Sequence, residues 1–270
     1  MNSLVVLTFF LAGAAEIAIP LLLGYFIVRK FGLNWKIFVY GALFFILSQL
    51  IHIPLLYVLQ PPYAEWVVSI LPNPALALIA IALFLGLFAG VLEEGIRYLV
   101  FSRFFRREHI PLSRENGLLF GAGWGGIECI FVAFLVLAGM VGYITVTSGM
   151  LDPALLNATL TDPNAAASLA ELVALTPLDI LPGLLERMMT IILHIMWTLL
   201  VLLAVLKDRM AYLFAAIAYH GVVDVASVYL AGTFGIWPTE AAIVLFAALG
   251  AGILWWIWNG LGERREPDTT

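Results

Sequence analysis

Apolar residues in this chain come in long runs separated by short polar stretches. The runs fall at about 3–28, 36–60, 74–101, 115–143, 184–206, 210–231 and 237–259. A helix needs roughly 20 apolar residues to cross the hydrocarbon layer of a bilayer. The pattern therefore predicts an all-α fold, a polytopic transmembrane bundle of about seven spans, forming a single membrane-embedded domain over 1–270. The first run has no basic residue before its apolar stretch, so it reads as a retained helix rather than a cleaved signal. Pro20 is expected to kink it. The connection 144–183 holds Pro153, Pro163, Pro177 and Pro182 and the Ala-rich stretch 165–175. It predicts a loop with one short helix lying on the membrane surface. Asn157-Ala158-Thr159 within it matches a glycosylation sequon, a pattern common by chance.

Composition strengthens this picture. Hydrophobic residues make up 63% of the chain and charged residues 11%. Soluble domains carry about 25% charged residues, and have no place for so much apolar surface. A single cysteine, Cys129, excludes a disulfide framework and a thiolate metal cluster.

Charge placement orients the bundle. Of the 13 lysines and arginines, only Arg97 and Arg187 lie within spans. Arg29, Lys30 and Lys36 join spans one and two; Arg103, Arg106, Arg107 and Arg114 join three and four. Lys207 and Arg209 join five and six, and Arg264 and Arg265 follow span seven. The remaining connections hold only acidic charges: Glu65, Asp152, Asp162, Glu171, Asp179 and Glu240. Basic connections stay in the cytoplasm, which predicts the N-terminus outside and the C-terminus inside.

Arg97 and Arg187 share the spans with Glu16, Glu93, Glu94, Glu128, Glu186, His194, His220 and Asp224. A charge at the bilayer centre costs roughly 2.5–3.5 kcal/mol on insertion scales, so such groups are paired or used. At 1.5 Å per residue, Glu93 and Glu94 lie ~13–15 Å from the basic edge of their span, and His220 ~16 Å. His194 and Glu128 lie ~20–21 Å in, and Asp224 is ~6 Å deeper than His220. Four helices thus bring ionisable groups to one layer, from the midplane to the cytoplasmic half. Residues three or four apart share a helix face. Gly86, Gly90 and Glu94 form one such row, and Gly117, Gly121, Gly125 and Glu128 another. Small residues at this spacing let helices approach closely, so these carboxylates are expected to face neighbouring helices. Glu93 with Arg97, and His220 with Asp224, form i, i+4 pairs.

Two histidines with several carboxylates suit zinc or another divalent metal. His194 and His220 are the candidate ligands, with Asp224 or Glu128 as a third. Glu93 or Glu94 would take a proton from water, and Arg97 would hold the glutamate pair or stabilise an oxyanion. Singly, each group also fits a structural role, such as helix glue for Glu93 and Arg97. Glu16 reads as an isolated polar contact or kink partner. Glu186 and Arg187 read as snorkelling residues near the outer edge. His52 reads as interfacial, His109 as a solvated loop residue, and Trp255, Trp256 and Trp258 as an aromatic belt. A His-Glu-x-x-His helix, a lysine in span seven, a Gly-x-Ser-x-Gly element and a phosphate loop are all missing. A zincin of that type and a retinal Schiff base are thereby excluded.

Glu93-Glu94-x-x-Arg97-Tyr98, an isolated His194 and His220-x-x-x-Asp224 on successive spans resemble the motifs of the CAAX-protease and bacteriocin-processing clan of intramembrane metalloproteases. The closest resemblance is to the YhfC-type membrane peptidases, with PrsW-type proteases as cousins, and Gly121-x-x-x-Gly125-x-x-Glu128 supports it. The motifs span residues 86–228. The resemblance implies a seven- or eight-helix membrane fold, a glutamate-activated water and histidines near a metal. It implies a protein or peptide substrate, no nucleic-acid partner, and residence in a bacterial or archaeal cell membrane. Asp224 stands where the prenyl-protease branch has Asn, which turns the reading away from prenylated substrates. A proton-coupled transporter or a non-catalytic scaffold of the same fold are the alternatives, since buried carboxylates and histidines also relay protons.

Overall fold

The computed structural model describes residues 1–152, 154 and 159–262. Most of the described residues are helical, with no strand among them. The helices are α1 (Ser3–Phe31), α2 (Lys36–Ile70), α3 (Pro74–Leu99), α4 (Arg114–Thr147), α5 (Pro163–Ala174), α6 (Pro177–Lys207), α7 (Ala211–Phe234) and α8 (Ile236–Gly262). A π-helical turn at Val100–Phe104 and a last turn at Phe105–Arg107 carry α3 onward. All but the short α5 are long and apolar enough to cross a membrane, which matches the seven predicted spans.

Local chemistry sets the ends. Gly32 closes α1 with φ +64°, a conformation that costs a side chain bearing Cβ. The Asn73 side chain accepts from the Ala75 and Leu76 amides, and Pro74 opens α3 behind it. Thr176 and Asp179 form a capping box at the start of α6. That cap explains one departure from the apolar pattern. Span five was expected from residue 184, yet α6 begins at Pro177 and takes Pro182 inside it. Hydropathy marks where lipid begins, whereas capping marks where helical hydrogen bonding begins. Likewise α2 continues past residue 60, through Pro61 and Pro62, to Ile70. The long connection does contain one short helix, α5. Pro153 and Asn157 of that connection, and Arg264 and Arg265, lie outside the described residues.

α6 is the central post. Leu193–Ala204 are buried on every side, as expected of a helix apolar all round. α1, α3, α4, α7 and α8 all pack on it, and α2 closes the ring through α3 and α4.

Glycines allow the closest crossings. A Cβ at Gly41 of α2 would stand 2.1 Å from the Phe120 carbonyl oxygen, and one at Gly123 of α4 would stand 2.0 Å from that of Phe38. Both obstacles are backbone, which cannot rotate aside. Gly123→Ala is therefore expected to separate α2 from α4 and cost at least ~1–3 kcal/mol. Gly95→Ala, with nothing within 4 Å of the new methyl, is the control. It should be neutral or gain up to ~1 kcal/mol from helix propensity. Thermal unfolding of both variants in detergent micelles checks this, and equal melting temperatures would refute it.

Candidate active site

The same small-residue logic places the ionisable groups. A Cβ at Gly86 would stand 2.6 Å from the Gly221 carbonyl oxygen, and one at Gly90 would stand 2.9 Å from that of Ile217. α7 therefore lies directly on α3, and Glu94 meets His220. On α4, a Cβ at Gly125 would stand 3.0 Å from the His194 Cβ, so α4 lies on α6 and Glu128 meets His194. Both glycine rows face neighbouring helices, as their spacing predicted, and the structure identifies these as α7 and α6.

Arg97 is the hub of the resulting network and is fully buried. Its Nη1 donates to Glu94 Oε1. Its Nη2 reaches Glu93 Oε2 at 3.4 Å and His194 Nδ1 at 2.8 Å. Its guanidinium lies 4.1 Å from the centre of the Trp124 ring. Guanidinium can only donate, so His194 Nδ1 accepts. His194 Nε2 then carries the proton that binds Glu128 Oε2. His220 Nδ1 donates to Glu94 Oε1 at 2.8 Å. In the neutral ring its Nε2 turns a lone pair toward Asp224 Oδ2, 3.5 Å away. Glu93 is held by Gln49 Nε2 at 3.0 Å on one oxygen and by Trp124 Nε1 at 3.0 Å on the other.

These groups converge on one cavity of about 450 Å³ between α2, α3, α4, α6 and α7. Glu93, Glu128, His194, His220 and Asp224 all line it, whereas Glu94 and Arg97 stand behind its wall. Arg97 thus holds the glutamate pair; it has no direct face on the cavity.

Several participants carried no signal in the sequence. Gln49 and Trp124 read as ordinary span residues. Trp197 also read so, yet it stacks flat on His220 with ring centres 4.0 Å apart, and meets the His194 ring edge-on at 5.1 Å. Four expectations are corrected. Arg187 does not snorkel: it binds Glu128 Oε1 at 2.5 Å and also Glu186, and lines the cavity. Long side chains near a span end suit snorkelling, but a carboxylate within reach offers more than water does at that depth. His52 is half-buried on the cavity wall, with its ring 5.3 Å from that of Phe88. Glu16 and Glu240 are both fully buried, and their carboxylate oxygens find no hydrogen-bond partner among the described residues. Glu16 therefore makes no polar contact of the expected kind, and Glu240 belongs to α8 rather than to a connection.

Among the described residues no three His, Cys, Asp or Glu side chains stand grouped to hold a metal; the donors are spread into pairs. In kind, the set nonetheless suits a divalent cation. It offers imidazole and carboxylate and no thiolate, and Glu94 Oε2 is buried without a partner. Glu94 also backs His220 as carboxylates back metal-binding histidines, fixing the tautomer that frees Nε2.

Comparison with known proteins points the same way. The family described as YhfC intramembrane metalloprotease matches residues 15–246. The uncharacterized membrane protein YhfC of Bacillus subtilis (strain 168) is 32% identical over 255 residues, covering 92% of this chain and 93% of that protein. No solved structure matches. The family match contains five of the seven membrane helices whole and parts of the first and last, and takes in every group that meets at the cavity; the chain belongs to the YhfC intramembrane metalloprotease family.

Proposed function

We propose that this protein is an intramembrane metal-dependent endopeptidase that hydrolyses a peptide bond with a glutamate-activated water. Zinc, or another divalent cation, would be held by His220 and Asp224 and completed by Glu128, or by His194 once its ring gives up the contact to Arg97 or to Glu128. The observation that carries this reading is the convergence of Glu93, His194, His220, Asp224 and Glu128, from four separate helices, on one cavity. Reckoned from the basic connections, these groups stand between the bilayer midplane and its cytoplasmic half.

The residues divide the work as follows. Glu93 is the carboxylate of the Glu93–Glu94 pair that reaches the cavity, so it takes the proton of the attacking water and returns it to the leaving amine. Gln49 and Trp124 aim it. Glu94 orients His220, and Trp197 fixes the plane of that ring. Arg97 is a positioning residue that ties Glu93, Glu94 and His194 into one unit. The cation, when bound, supplies polarisation of the scissile carbonyl and of the water.

Elemental analysis of the purified protein tests this directly. Close to one equivalent of divalent metal per chain is expected. His220→Ala should lose it while keeping its helical circular dichroism. Metal-free wild-type protein with intact folding would favour the second reading, a proton-coupled transporter. One observation supports that alternative: an unbroken chain of contacts runs from Glu186 through Arg187, Glu128, His194, Arg97, Glu94 and His220 to Asp224.

A further inference from the structure

The cavity runs away from the basic connections. Along each helix, its inner wall at Phe45, Glu93, Trp197 and His220 lies ~13–17 Å from the nearest basic edge. Its outer wall at Ile53, Leu135, Glu186 and Ser227 lies ~25–32 Å from those edges. The inner end is shut. Phe101, Phe120 and Trp124 form a buried aromatic floor, with ring centres 5.2 Å apart for the first pair and 5.9 Å for the second. Leu199, Leu202 and Leu203 of α6 are buried in the same apolar cluster.

Toward the other end the lining becomes exposed. Phe131 is 44% exposed, Ile53 60% and Leu135 71%. Ile53 belongs to α2, and Phe131 and Leu135 to α4. These helices touch below the cavity, at Gly41 and Gly123 and where the Phe45 and Trp124 rings meet at 5.9 Å. Farther out α2 turns its contacts to α3, where the Tyr63 hydroxyl donates to the Ala80 carbonyl at 3.2 Å and its ring stacks on Phe84. The distal halves of α2 and α4 thus leave a side opening. Its apolar rim faces a polar strip of Thr190, Asp224 and Ser227 across the cavity.

We infer that the reaction chamber is reached from the membrane face opposite the basic connections, laterally between the distal halves of α2 and α4. With the basic connections in the cytoplasm, the substrate is a membrane-anchored polypeptide that enters from its extracytoplasmic side and is cut where its unwound segment reaches the inner wall of the chamber. The apolar rim accepts side chains that leave lipid, and the polar strip accepts the backbone groups that an unwound segment exposes. The choice of substrate rests on the peptidase reading; the side of access does not.

Single-cysteine labelling of the full chain tests the inference. In a Cys129→Ser background, cysteines are placed at Val132 and Ser227 in the cavity, at exposed Glu108 beside the basic connections, and at exposed Ser168 on the opposite face. A sulfonated, membrane-impermeant maleimide is applied to intact cells and to inside-out vesicles. V132C and S227C should react from the side that labels S168C, at least tenfold faster than from the side that labels E108C. Faster reaction from the E108C side, or reaction from neither side, overturns the inference. In a second arm, the reagent added to intact cells should stop V132C from cleaving a membrane-anchored reporter while leaving E108C active. Continued cleavage by labelled V132C overturns the proposed substrate route. A chain that cuts nothing even before labelling defeats the peptidase reading, and the labelling pattern still decides the side of access.

Discussion

Arg97→Met is expected to cost about 3–5 kcal/mol of stability, the usual penalty for leaving buried charge uncompensated. Arg97 is fully buried and is the cation shared by Glu93 and Glu94, which sit side by side on α3. Methionine fills much of the same volume but leaves two carboxylates facing each other in a dry interior. It also removes the donor to His194 Nδ1 and the cation over the Trp124 ring. Arg97→Lys should recover only part of the loss, because a compact ammonium cannot serve three acceptors in the planar fork that guanidinium provides. Adding Glu94→Gln to the methionine variant should return some stability, since it removes one of the stranded charges. Thermal unfolding in micelles, run as a double-mutant cycle, gives the coupling between the two sites. Strictly additive losses would show that Arg97 and Glu94 act independently, contrary to the contact between them.

Glu93→Gln is expected to lower hydrolysis of a membrane-anchored reporter by about 10²–10⁴-fold, the range for loss of a general acid–base group. The shape of the side chain is kept, so the effect on folding is smaller. One amide hydrogen pair must face the Gln49 or Trp124 donor that the carboxylate accepted, at about 1–3 kcal/mol. Metal content should stay at the wild-type level, because Glu93 is not among the assigned ligands. Glu94→Gln differs in kind: it loosens His220 as well as Arg97, so metal content should fall along with activity. Full activity in Glu93→Gln would falsify its role as the proton carrier. Activity lost in Glu94→Gln alone, at unchanged metal content, would move that role to Glu94.

How far the site could be read in advance varies by residue. Seven spans followed from run length, and the depth of Glu93, His194 and His220 followed from their distance to basic edges. Glu94 and Glu128 were placed toward neighbouring helices by the glycines on their faces, and the structure shows those neighbours to be α7 and α6. Gln49, Trp124 and Trp197 escaped notice because a lone amide or indole in a span is unremarkable until something charged sits beside it. Arg187 was misplaced for a related reason. Its position near a span end suits snorkelling, and only the approach of α4 reveals Glu128 as its partner. Glu16 and Glu240 show the opposite case, groups expected to find contacts or solvent that the fold buries with no hydrogen-bond partner among the described residues.

Chain order alone carries depth and facing, because lipid sorts residues by run length and the α-helix repeats every 3.6 residues. Both are local properties, so they survive in a linear string. Which helix stands opposite which is different. It depends on backbones meeting at Gly41 and Gly123, or at Gly86 and Gly221, far apart in the chain. The closed aromatic floor, the side opening and the Arg97 hub are consequences of those meetings, and close packing between distant segments leaves no periodic trace from which to read them.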